Sequence, residues 1–138
     1  MTKTVCILRG IPGSGKSFVA AQMGVHPSCI CSADHYMLGP DGKYLFDYDH
    51  LPVCHQLCQE HFMSLIGAGV RIIVVDNTSV RKCEYEGYER VAREKGYDVK
   101  VIVVGDPKDP AFVETCFKRQ QHGVPLDVMQ RMSAGFEV

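Results

Sequence analysis

At 138 residues the chain is 46% apolar and 22% charged, with a formal net charge of −1 and a pI of about 6.6. That length holds one core and excludes an extra substrate domain of ordinary size, so a single domain over residues 1–138 is expected. No apolar run approaches the length of a bilayer-crossing helix, and near-neutral charge excludes a protein that grips long duplexes by bulk counterion release.

Met1-Thr2-Lys3-Thr4 lacks the apolar stretch of a secretory signal. The cysteines number seven, an odd count, so reduced thiols and an intracellular location, cytoplasmic or nuclear, are expected. Neither a membrane nor an obligate protein partner is evident from the sequence.

The first predicted strand covers residues 5–8 and runs into Gly10-Ile11-Pro12-Gly13-Ser14-Gly15-Lys16-Ser17, a full GxxxxGK[ST] phosphate-binding loop. A helix over 16–23 follows it. Glycines at 10, 13 and 15 let the main chain approach an anion closely, with Pro12 and Ser14 completing the loop. Lys16 is expected to bridge the β- and γ-phosphates, and the Ser17 hydroxyl to ligate Mg²⁺. The motif predicts a nucleoside triphosphate, ATP or another NTP, and is silent about the reaction.

A second short strand, 29–31, leads to Ser32-Ala33-Asp34-His35-Tyr36. Pro40-Asp41-Gly42-Lys43 is turn chemistry, and Tyr44-Leu45-Phe46-Asp47-Tyr48 is aromatic enough to wall a base or sugar or, equally, to cap the sheet. A helix over 51–66 carries Cys54, Cys58 and His61 on one face, with His50 and His55 nearby. No paired short-spacing zinc motif is present, so a buried helix face is expected rather than a metal centre. Gly67-Ala68-Gly69 ends that helix.

The third strand, 72–75, ends in Asp76, the Walker B pattern, followed by Asn77-Thr78-Ser79. A helix over 81–95 stops at Gly96, a strand covers 99–104, and helices follow at 110–121 and 126–136. Apolar strands alternating with helices predict a parallel sheet of about four strands covered on both faces.

Ligands of such sheets gather beyond the carboxyl ends of the strands, where Asp34 and Asp76 flank the phosphate loop. A kinase needs a carboxylate to accept the proton of the attacking hydroxyl, a duty suited to Asp34, whereas Asp76 suits the metal shell; helix capping is the competing reading of both. Lys118 and Arg119 end a helix before Gln120-Gln121-His122-Gly123-Val124-Pro125, a plausible lid. Lys118 is expected in solvent and Arg119 on phosphate oxygens, which its guanidinium fork fits. His35 and His122 are expected to make local hydrogen bonds.

Taken in order, Leu8-Arg9 with the phosphate loop, Ser32-Ala33-Asp34-His35-Tyr36, Val74-Val75-Asp76-Asn77-Thr78, and Lys118-Arg119 through Val124-Pro125-Leu126 resemble the polynucleotide 5′-hydroxyl kinase family across nearly the whole chain. The resemblance includes the P-loop kinase domain of phage polynucleotide kinase-phosphatase. It implies an α/β P-loop NTPase with an adenylate-kinase-like three-layer sandwich and a short helical lid. It also implies transfer of the γ-phosphate of ATP, with Mg²⁺, to the 5′-OH of DNA or RNA, with Asp34 as general base and Arg119 in the lid. Two positions depart from the family: Met37 and Gly123 stand where arginines are found. A kinase for a small-molecule hydroxyl, or a nucleotide-binding module without transfer, are the competing readings.

Overall fold

The structure is a computed structural model and describes residues 2–138. Four strands, β1 (Thr4–Arg9), β2 (Ile30–Cys31), β3 (Ile72–Asp76) and β4 (Asp98–Val103), form one parallel sheet in the order β2-β3-β1-β4. The helices are α1 (Lys16–Gln22), α2 (Leu51–Gly67), α3 (Glu86–Glu94), α4 (Pro110–Arg119) and α5 (Leu126–Gly135). The apolar β-branched runs form the strands because both sheet faces are covered.

Side chains alternate across β1 and β3. Val5, Ile7, Ile73 and Val75 bury against Cys58 and Phe62 of α2 and Tyr88 and Ala92 of α3, while Cys6, Leu8 and Val74 face Ala20 of α1. A third cluster joins Ile11 of the phosphate loop to Val113, Cys116 and Met129 of α4 and α5, so this helix pair roofs the loop. The register pairs Leu8 with Asp76 and Cys31 with Val75, bringing the ends of β1, β2 and β3 level. The phosphate loop, Asp34 and Asp76 therefore leave the sheet together at the carboxyl ends of its strands.

Two helices stop as their glycines predict. After α2, Gly69 at φ +69° and Val70 return hydrogen bonds to the Ile66 and Leu65 carbonyls; after α3, Gly96 at φ +83° and Tyr97 return them to Arg93 and Ala92. This is the Schellman pattern, in which a left-handed residue satisfies the last free carbonyls.

The helix expected over 81–95 is shorter than its pattern. A separate turn occupies Lys82–Glu84 because the Arg81 backbone N–H donates to Glu84 Oε2 at 2.9 Å, and α3 starts only at Glu86. The second strand is reduced to two residues because the chain bends immediately into the turn Ala33–Tyr36.

Candidate active site

The phosphate loop hangs between the buried end of β1 and the first turn of α1. Gly15 caps α1 at φ +105°, an angle glycine adopts without penalty. Gly13 lies at φ +78°, and a Cβ there would run into the Cys116 carbonyl of α4. Lys16 Nζ donates to the carbonyls of Gly10 at 2.8 Å and Ile11 at 3.2 Å. Burial pushes the Lys16 ammonium below its ordinary range, and the charges of Asp76 and Asp34 partly hold it up. Ser14 Oγ is buried inside the loop with no hydrogen-bond partner among the described residues. An unsatisfied buried hydroxyl beside a lysine and close-packed glycines fits an anionic ligand.

Asp76 is 6% exposed, and the Ser17 hydroxyl donates to its Oδ2 at 3.3 Å. Burial lifts its carboxyl above the usual range, opposed by the Lys16 charge and the Ser17 hydrogen bond. A carboxylate and hydroxyl held this way form a hard-oxygen pair suited to Mg²⁺. Asp34, on the turn after β2, keeps its side chain half exposed and reaches 3.6 Å from His122 Nδ1. Its charge acts on Lys16, Asp76 and Tyr44, the last with a hydroxyl pushed up to about 12, chiefly by burial and then by Asp34. The capping alternative fails for both carboxylates, since Ser32 and Arg81 occupy the N-cap positions of the turns that follow.

Asn77 ties the two carboxylate loops together. Its Oδ1 accepts from the Ala33 backbone N–H at 2.9 Å, and its Nδ2 contacts Cys58 Sγ at 3.6 Å, where the Tyr88 hydroxyl also arrives at 3.4 Å. The sequence reading quoted Asn77 without giving it this duty.

Arg119 ends α4 with its Nε donating to the Gly13 carbonyl and its guanidinium 5.9 Å from the Phe112 ring. Lys118 turns outward to Glu114 at 3.5 Å. His122 stacks on Tyr44, rings 4.4 Å apart and 20° from parallel, so the segment 120–125 lies against the Asp34 turn. The sequence predicts only local hydrogen bonds for His122, whereas here it reaches the distant Asp34 and Tyr44; its place within the predicted lid was the available signal.

Arg9 also escaped the sequence reading. Though only 2% exposed, it donates from Nε to the Ser79 carbonyl at 3.0 Å and from Nη2 to the carbonyls of Val80, at 3.3 Å, and Glu137. Its guanidinium lies 4.7 Å from the Tyr85 ring and 4.8 Å from that of Phe136. Ser79 adopts φ +46°, and the Gly10 N–H donates to the Thr78 carbonyl, so the loop after Asp76 is stitched to the phosphate loop.

Met37 is fully buried, and Gly123, at φ +72°, faces open space. Cys54 and Cys58 are buried in the α2 core, and His61 Nε2 meets the Ser28 carbonyl at 2.7 Å. A cavity of about 1230 Å³ is lined by the phosphate loop, Asp34, Asp76, Arg119, segment 120–125, and Tyr44, Phe46 and Tyr48.

A family model described as an AAA domain matches residues 5–138, and the chain belongs to that family. Human NEDD4-binding protein 2 is 34% identical over 133 residues, covering 91% of this chain; the chain spans only 7% of that protein's length. Among solved structures, the Pnkp1/Rnl/Hen1 RNA repair complex aligns with a TM-score of 0.71 at 18% identity, covering 98% of this chain and 44% of the matched one. A gluconokinase from Sinorhizobium meliloti 1021 aligns at 0.57, also at 18% identity, covering 98% and 75%. The fold is that of a P-loop kinase domain, which implies a nucleoside triphosphate, usually with Mg²⁺. No helix among the described residues is long and apolar enough to cross a membrane.

Proposed function

We propose that this member of the AAA domain family is an intracellular kinase domain that transfers the γ-phosphate of ATP, or of another nucleoside triphosphate, to the 5′-hydroxyl of DNA or RNA. The observation that carries the reading is the Asp34 carboxylate opening into the cavity that the phosphate loop lines, close enough for its charge to act on Lys16 and Asp76. Binding alone requires no such carboxylate, which weighs against a nucleotide holder without transfer.

Gly10, Pro12, Gly13, Ser14 and Gly15 bring backbone and hydroxyl groups to the triphosphate, and Lys16 exchanges its loop carbonyls for phosphate oxygens. Ser17 and Asp76 would hold Mg²⁺, which would supply charge neutralisation to the phosphates. Asp34 accepts the proton of the 5′-hydroxyl while its oxygen bonds to the γ-phosphorus; the bond to the β–γ bridging oxygen breaks, and ADP leaves with the electron pair. Arg119, resting beside Gly13, supplies a planar cation to the transferring oxygens. Segment 120–125 closes over Asp34 through His122 and keeps water from the triphosphate.

The similarity to a component of an RNA repair complex supports a nucleic-acid acceptor and, with it, a role in nucleic-acid repair. A small-molecule hydroxyl is the second reading, favoured by the gluconokinase-like fold and by Met37 lying inside the core rather than offering an acceptor contact. Incubation with γ-labelled ATP, Mg²⁺ and 5′-OH DNA and RNA oligomers, beside matched sugars and nucleosides, tests both. Label on oligomer 5′ ends is expected; label on small alcohols alone overturns the acceptor, and no label despite ATP binding overturns transfer.

A further inference from the structure

We propose that Phe46 and Tyr48 form a stacking platform for the terminal base of a single-stranded acceptor, an inference that rests on the kinase reading and names what its acceptor side recognises.

The segment that carries them is an independent projection. The Met37 side chain anchors it in the core, the Leu45 N–H donates to the Met37 carbonyl at 3.0 Å, and Gly39 donates to Lys43 at 2.8 Å, closing a small hairpin bridged at Leu38 and Tyr44. Asp47 then caps the turn into α2 through the Asp49 N–H. The aromatic rings recur at every second position, from the bridge residue Tyr44 through Phe46 to Tyr48, which opens the turn Tyr48–His50. Tyr44, Phe46 and Tyr48 line the cavity, whereas the intervening Leu45 and Asp47 do not.

The three rings differ in what they do. Tyr44 is satisfied by its stack on His122. Phe46 and Tyr48 are 45% and 77% exposed, so neither contributes to the core in the way the alternative reading of this aromatic run requires. Rings left in water at the mouth of a catalytic cavity offer a flat apolar face, and every nucleobase has a matching one.

Charge points the same way. The lysines and arginines lining the cavity are Lys16, Arg81, Arg119 and Arg131, all from the loop and helix elements on the triphosphate side and around it; the stretch from Ala33 to His55 lines the cavity without any. An acceptor seated against Asp34 therefore meets rings and imidazoles rather than a cationic clamp. Its grip comes from the base and depends only weakly on salt.

Direct binding of a labelled 5′-OH oligonucleotide, with a non-hydrolysable ATP analogue present, reads this without requiring turnover. Phe46→Ala/Tyr48→Ala is expected to weaken oligonucleotide binding by about five- to a hundred-fold, the usual worth of a stacked base, with ATP affinity unchanged. An oligonucleotide lacking its 5′-terminal base should bind the native protein as poorly as the intact oligonucleotide binds the variant, and Tyr48→Phe should restore affinity. Equal affinity for base-bearing and abasic ends, no oligonucleotide binding, or a steep salt dependence unaffected by the variant overturns the platform. Base-dependent binding without phosphate transfer overturns the kinase reading alone, whereas base-independent transfer overturns only the platform.

Discussion

Gly13, on the triphosphate side of the cavity, and Gly42, on the hairpin opposite, hold nearly the same backbone angle, φ +78° and +77°, in contrary surroundings. A side-chain atom at Gly13 would strike the Cys116 carbonyl, whereas at Gly42 it would meet nothing within 4 Å. The phosphate loop is wired into the fold by the Arg119 side chain of α4 and by the backbone of the loop after β3, while the hairpin is held at its base and free at its tip. A triphosphate tail is chemically constant and rewards a fixed cradle; an acceptor varies and is met by parts that tolerate change.

The sharpest division between the two sides comes from Asp34→Asn. It should lower kcat by about 10²–10⁴, the worth of a positioned base, and leave ATP affinity intact in calorimetry. A loss of ATP binding would join the two sides into one device. Next, Arg119→Ala should reduce kcat by about 10²–10³, with lysine rescuing little because it lacks the planar fork. Unchanged steady-state rates would leave Arg119 as a prop for Gly13 only.

Smaller effects test the glycines. Gly42→Ala should cost roughly 1 kcal/mol by thermal denaturation, the strain of the angle alone, with ATP affinity unaltered. Gly13→Ala adds the collision with Cys116 and should weaken ATP more than about tenfold, since a 1.4 kcal/mol disturbance already suffices. Equal behaviour of the two variants would erase the contrast. The smallest effect is one of pH. Because burial raises the Asp76 pKa, acidification protonates it earlier than an ordinary carboxylate, and protons displace Mg²⁺ from it. Mg²⁺-dependent ATP affinity should therefore fall as pH drops, beginning above the ordinary carboxylate pKa of about 3.9, and Asp76→Asn should remove that slope.

The phosphate loop, both carboxylates and every helix except the start of α3 were legible because each announces itself locally, by strand, glycine or cap. Asp34 and Asp76 could be paired in advance only through the rule that parallel strands end together, which the Cys31–Val75 register obeys. What stayed hidden depends on partners distant along the chain. Arg9 looks like a polar strand end until Tyr85, Phe136 and the carbonyls of residues 79, 80 and 137 close round it. His122 gains meaning only from Tyr44 and Asp34, and Met37, which stands where the resembled family has an arginine, lies in the core at the base of the hairpin. The break before Glu86 was masked because residues 81–85 have helical composition but spend it on a reciprocal turn between Arg81 and Glu84.

Arg9 gives the molecule a mechanical property. One guanidinium fastens the carbonyl of Glu137 to that of Ser79, three positions beyond Asp76, and it can release neither without stranding a cation between two rings. Residue 137 is thereby coupled through one side chain to the turn that follows Asp76, so displacing the Glu137 carbonyl disturbs the Ser79–Val80 backbone as well.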